Sequence, residues 1–595
     1  MPNADAEPPD DEPPRLSPAA IVKQPTGVEG FDALTGGGLP RHRLTVVVGN
    51  TGSGKTIFAM QTVAAHLAQG ERCIFVAFEE PADRVIGNIA GFTWGGSLST
   101  APGFRLVEAR MPLDTIIGGA FDLGALLARL TVMTQELGAT FIVFDAIDAL
   151  LAGLRDDWLE RQELARIDEW IRRMGLSAIL TVKAYGSGER DQRRAELLQY
   201  MADCVVGLSR ILTSTESSRT LCIEKYRGAD FVANPAPLVI SAAGIEVIVI
   251  TGARSDHPTS SERLSSGIPR LDAIIDGGYR RGSSVLVSGS PGTSKTTLGV
   301  SFVAAACARG DRALFVSFDE NGAQIVENVR SVGFDLSAWI DSGLLRIASF
   351  ISTGRSPEEH FLRVRALIAD HRPDCLVVDP ISSLLKSGYP FSRAICEAML
   401  DYAKSLGITV LCTSLLDQAA GDVEMSASHV STIADTWLHV SYVARDGERN
   451  RAITIIKSRG TRHSNQVREL VIGPAGVDLV DVYIAEGEVL MGSARAQKEA
   501  QAARLQSLHE AETRLKRMEL DAEVADLTQK VATATLALQA KQREAEFVEL
   551  VARQDAESLE QAIGARRHLR RTGAEARPLD PGEPQVRRET ARHGA

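Results

Sequence analysis

Short, almost wholly apolar runs recur along the chain, and each is followed by a longer stretch with helical spacing. Leu44-Thr45-Val46-Val47-Val48, Cys73-Ile74-Phe75-Val76-Ala77-Phe78 and Thr140-Phe141-Ile142-Val143-Phe144-Asp145 leave no polar face for solvent, which is the mark of strands buried on both sides. Helices are predicted over 56–69, stopped by Gly70 as a left-handed cap, and over 123–137, where the apolar positions keep the helical period. Strands alternating with helices predict an α/β fold, a mostly parallel sheet flanked by helices.

The pattern then repeats. Gly267-Ile268-Pro269-Arg270-Leu271-Asp272 echoes Gly27-Val28-Glu29-Gly30-Phe31-Asp32, Leu314-Phe315-Val316-Ser317-Phe318 echoes the Cys73 run, and Cys375-Leu376-Val377-Val378-Asp379 echoes the run ending at Asp145. Lys55 and Lys295 lie 240 positions apart, Glu80 and Glu320 also 240, Asp145 and Asp379 234, and Lys225 and Lys457 232. A near-constant offset over four landmarks predicts a duplicated domain, with copies over 19–248 and 264–490 and a polar, turn-rich linker over 249–263. Residues 1–18, rich in Pro and acids, and 571–595, polar with Pro and Gly, are predicted to be disordered. Residues 491–570 are rich in Ala, Glu, Gln, Arg and Leu. Here Leu520, Val524, Leu527, Val531, Ala534 and Leu538 step alternately by four and three, the coiled-coil spacing. The apolar phase around Leu505 to Leu515 does not continue that seam.

Each copy carries a phosphate-binding pattern behind its first strand. Gly49-Asn50-Thr51-Gly52-Ser53-Gly54-Lys55-Thr56 meets it at every position, and Gly289-Ser290-Pro291-Gly292-Thr293-Ser294-Lys295-Thr296 has serine in place of the last glycine. Glycines let main-chain N–H groups converge on phosphate oxygens, the lysine reaches the β- and γ-phosphates, and the threonine hydroxyl ligates Mg²⁺. A nucleoside triphosphate with Mg²⁺ is the predicted ligand. Asp145 and Asp379, at strand ends, are candidates for the Mg²⁺ shell. Glu79 with Glu80, and Asp319 with Glu320, follow a different strand and are candidates to polarise an attacking water or hydroxyl. Lys225 with Arg227, and Lys457 with Arg459, occupy alternate strand positions and so share a face. They are candidate phosphate-sensing residues acting across a subunit boundary.

A formal net charge of −11 over 595 residues argues against a constitutive nucleic-acid surface. The cysteines at 73, 204, 222, 307, 375, 396 and 412 form no C-x-x-C pair, so neither a zinc site nor a disulfide framework is indicated. No apolar run is long enough to span a bilayer, and a cytoplasmic protein without a membrane partner is expected.

Over roughly residues 20–490 these landmarks resemble the KaiC family, with two fused RecA-type domains. The sharpest match is Ser426-Ala427-Ser428-His429-Val430-Ser431-Thr432-Ile433-Ala434-Asp435, which is similar to the family's autophosphorylation segment. The resemblance implies a homohexameric double ring with ATP between subunits, an ATPase first domain and a self-phosphorylating second domain. It also implies Ser431 and Thr432 as phosphoacceptors with Ser426 nearby, KaiB-like regulators as partners, and a role in circadian timing or related signalling. The longer-tailed bacterial members suggest pairing of two hexamers through the C-terminal helices. Aligning the repeats places Gln199 and Tyr200 opposite Ser431 and Thr432, which fits hydrolysis in the first copy and self-phosphorylation in the second. Two departures bear on the second copy. Ser294 puts a Cβ where the turn wants none, and Asp319 is one methylene shorter than the glutamate it replaces. The competing readings are a RecA-like DNA-dependent ATPase and a nucleotide-gated signalling scaffold.

Overall fold

The computed structural model describes residues 21–109, 123–152, 157–184, 189–212, 217–250, 260–351, 354–385, 391–415, 434–445, 447–474, 476–485 and 488–572. Ser426, Ser431 and Thr432, the N-terminal tail, residues 573–595 and most of the linker lie outside the described residues, and residues 571 and 572, assigned to the tail by sequence, are helical.

The buried runs form the middle of two nine-stranded sheets with the same strand order. In the first, Leu44–Gly49 lies between Ser177–Lys183 and Cys204–Leu212, and Phe141–Asp145, Cys73–Ala77 and Phe104–Glu108 follow outward, all parallel. Alternate residues of these strands feed separate cores. Val46, Val48, Ile74, Val76, Ile142 and Phe144 pack on one face, and Val47, Phe75, Val143 and Ile179 on the other. The second sheet repeats this around Ser284–Gly289, flanked by Thr409–Leu415 and Thr436–Arg445.

Beyond Cys204–Leu212 the sheet continues antiparallel through Ser217–Tyr226, Ala236–Ser241 and Gly244–Val247. The apolar runs do not announce this wing, because Ser217–Tyr226 mixes buried and part-exposed positions and reads as a half-buried strand. Glu246 on the last strand, together with Glu29 at 3.3 Å, holds Arg365 of the second repeat.

Both sheets belong to one unit ending at Gly492, and a second unit begins at Ser493. The described part of the latter lies in one helix, Gly492–Thr572, 81 residues long. Leu520, Val524, Leu527, Val531 and Leu538 on it are each more than half exposed, so the predicted seam requires a second helix to cover it. Among the described residues no helix is long and apolar enough to cross a membrane.

Candidate active sites

Each phosphate loop leaves the end of a central strand and enters a helix of 14 residues, Lys55–Ala68 or Lys295–Ala308. The first helix starts one residue earlier than its spacing predicts and ends just before Gly70, whose φ is 83°. Its free N–H groups and positive end face the loop. A Cβ on Gly49 would come within 2.6 Å of the Leu208 carbonyl oxygen, and one on Gly289 within 2.3 Å of that of Val440, so the adjoining strand excludes a side chain where each loop begins.

Gly54 turns into its helix with φ 107°, in the left-handed region. Ser294 adopts the same region at φ 73°, so the second loop keeps the turn and the serine carries the strain. Ser294→Gly is expected to stabilise the second domain by about 0.5–1 kcal/mol. It should appear as a higher denaturant midpoint with an unchanged slope, and an equal or lower midpoint would count against the strain.

Lys55 Nζ donates to the Gly49 and Asn50 carbonyls at 2.8 and 3.3 Å, and Lys295 Nζ to those of Gly289 and Ser290 at 2.9 and 2.8 Å. Burial lowers the pKa of both ammonium groups, opposed chiefly by Asp145 in one site and Asp379 in the other. Thr56 Oγ1 donates to Asp145 Oδ2 at 3.0 Å, and Thr181 donates to the other carboxylate oxygen. Thr296 and Thr413 treat Asp379 in the same way. Burial pushes both carboxyls above their ordinary value, so protons compete with a cation there. A hydroxyl and a carboxylate converging at the phosphate end form a hard-oxygen donor set that fits Mg²⁺.

Ala77 is level with Asp145, and Ser317 with Asp379, so each acid pair emerges beside the strand-end aspartate. The first acid acts on the loop: the charge of Glu79 reaches Lys55 and Asp145, and that of Asp319 reaches Lys295 and Asp379. The second acid is tied to the next helix. Asn88 Nδ2 donates to Glu80 Oε2 at 2.8 Å, and Asn328 Nδ2 to Glu320 Oε2 at 3.2 Å. Ser383 Oγ also donates to Asp319 Oδ1 at 3.0 Å. The matching residue of the first repeat is Ala149, which has no hydroxyl.

The basic pairs are not brought to the loops of their own repeats. Lys225 is level with Val205 and hence Val46, and Lys457 with Trp437 and hence Leu286. Each lysine thus sits three strand residues, about 10 Å, below the glycine that opens its loop. Lys225 and Arg227 instead bond the Gln199 and Tyr200 carbonyls, the Arg227 contact being 2.7 Å.

Other residues flank the loops. Arg219 Nε donates to the Gly52 carbonyl at 3.3 Å, with Arg210 opposite it across the strand pair. Tyr442 donates its hydroxyl to the Gly292 carbonyl at 2.5 Å, with Arg451 opposite and the Arg449 guanidinium 3.7 Å from its ring centre. These positions escaped the sequence reading. Their signal was the same offset of 232 that links Lys225 to Lys457.

Fold and loops together define a tandem pair of RecA-like P-loop ATPase domains. The family model for the KaiC ATPase matches residues 24–252 and again 264–482. Circadian clock protein KaiC2 of Synechocystis sp. is 39% identical over 485 residues, covering 80% of this chain and 84% of its own. Circadian clock oscillator protein KaiC of Synechococcus elongatus is 32% identical over 482 residues, covering 80% and 92%. The chain belongs to the KaiC family of ATPases.

Proposed function

We propose that this chain hydrolyses ATP in its first domain and, in its second, phosphorylates Ser431 and Thr432, with Ser426 beside them, as a hexameric double ring. One observation carries the assembly. In each domain the loop lysine, the Thr–Asp pair and the first acid gather at the C-terminal ends of the central strands, while Lys225 with Arg227, or Lys457 with Arg459, lies away from them. A basic pair supplied by a neighbouring subunit would complete each site.

In the first domain the loop N–H groups and Lys55 would hold the triphosphate, and Thr56 and Asp145 would hold Mg²⁺. When bound, that ion draws charge from the β- and γ-oxygens. An acid of the Glu79–Glu80 pair takes the proton of the attacking water as its oxygen bonds to the γ-phosphorus. The bond from phosphorus to the β–γ bridging oxygen breaks, and ADP leaves with that electron pair. In the second domain, Lys295, Thr296 and Asp379 play the holding roles. Asp319 or Glu320 takes the proton from a serine or threonine hydroxyl, so the phosphoryl group passes to protein. Gln199 and Tyr200, opposite Ser431 and Thr432 in the repeat alignment, offer the first domain no such aliphatic acceptor.

The names of the relatives, circadian clock proteins, point to timing or related signalling, for which a cytoplasmic location and KaiB-like regulators are expected. The exposed seam of the long helix supports pairing of two rings. With Mg–ATP the chain of 64.0 kDa is expected to run at about six or twelve times its monomer mass. Mass measurement that finds only monomer under those conditions would sink the ring.

A further inference from the structure

We infer that Asn88 and Asn328 are positioning residues that hold the second acid of each pair off the phosphates, leaving Glu79 and Asp319 as the proton acceptors. The inference rests on the ATPase reading and divides labour between two adjacent carboxylates. The same bond occurs in both repeats, from an asparagine eight residues beyond the second acid. Each asparagine lies on the helix that follows, Ala82–Ile89 or Gly322–Arg330. Its amide donates to the second acid's carboxylate and draws it along that helix. The first acid stays with the loop, where it faces the lysine and the strand-end aspartate.

Two carboxylates free to approach one phosphate site would repel each other, and each would raise the other's pKa. A tether on the second keeps its charge away from the first, which stays beside its loop lysine. In the first site the charge of Glu79 acts on Lys55 and Asp145, Asp148 and Lys183 also act on Lys55, Glu108 binds the start of the helix, and Asp83 and Arg84 lie on the helix itself. Of these only Glu79 changes in the variants below.

The test uses the full chain with Lys295→Ala, so that turnover reports the first domain. Glu79→Gln should lower kcat at least about fiftyfold, and Glu80→Gln less than about fivefold. Asn88→Ala, an exposed position, should lower kcat about fivefold with KM for ATP within about twofold. That split, a lower kcat at nearly constant KM, is what a freed Glu80 crowding Glu79 at the loop would produce and a loss of ATP binding would not. Adding Glu80→Gln should return kcat to that of Glu80→Gln alone, and Asn88→Gln should restore part of the rate. A kcat unmoved by Asn88→Ala, a loss that Glu80→Gln does not relieve, or equal losses from Glu79→Gln and Glu80→Gln, overturns the inference while hydrolysis stands. A parent that does not hydrolyse ATP overturns the ATPase reading with it.

Discussion

Lys55→Ala is expected to lower ATP turnover by the full chain about a hundredfold, whereas Lys295→Ala should leave most turnover in place. A preorganised cation at a phosphoryl-transfer site is worth about 3–4 kcal/mol, or two to three powers of ten in rate. Lys55 is preorganised in that sense, since its ammonium is part-buried and anchored on the Gly49 and Asn50 carbonyls. Alanine removes the charge and the anchor together. The two variants separate the domains because the unstrained loop belongs to the first, while Ser294 and the Ser383–Asp319 bond set the second apart. Steady-state phosphate release from both, measured with native mass so that lost assembly is not mistaken for lost chemistry, checks the expectation. Similar losses in both variants would mean that hydrolysis is shared rather than divided.

The second large effect comes from mixing two inactive chains. Arg227→Ala and Lys55→Ala subunits, each nearly silent alone, should together recover about a quarter of wild-type hydrolysis when combined in equal amounts. In a ring of head-to-tail interfaces, half of the loops are intact and half of their neighbours carry the arginine. The register of the first sheet motivates the experiment, because Lys225 is level with Val46 rather than with the loop. If the basic pair served its own loop, every subunit would lack one part and mixing would restore nothing. Activity no greater than the average of the two variants would therefore rule out the trans arrangement.

Much of the fold was legible because its strands are buried on both sides. Leu44–Gly49, Cys73–Ala77 and Phe141–Asp145 were visible as apolar runs, and the repeat doubled every landmark. The antiparallel wing was not, since its half-buried strands mix exposed and buried positions in a way that many surface segments share. At the sites, the loop lysines, Thr56, Thr296, Asp145 and Asp379 could be placed from pattern alone, because a phosphate loop tolerates few alternatives at those positions. Which of two adjacent acids faces the loop could not. That depends on Asn88 and Asn328, whose bonds form between a strand end and the far turn of the next helix. Nor did sequence decide what Ser294 does. A Cβ at that turn raises both strain and obstruction, and the left-handed backbone angle establishes the first.

The central claim is that the second copy of a hydrolytic site has been turned on the protein itself, and phosphopeptide mass spectrometry after incubation with Mg–ATP tests it most directly. The account predicts phosphate on Ser431 and Thr432, lost in Lys295→Ala and retained in a Glu79→Gln chain that still assembles. Unmodified Ser426, Ser431 and Thr432 in a chain that hydrolyses ATP would contradict it.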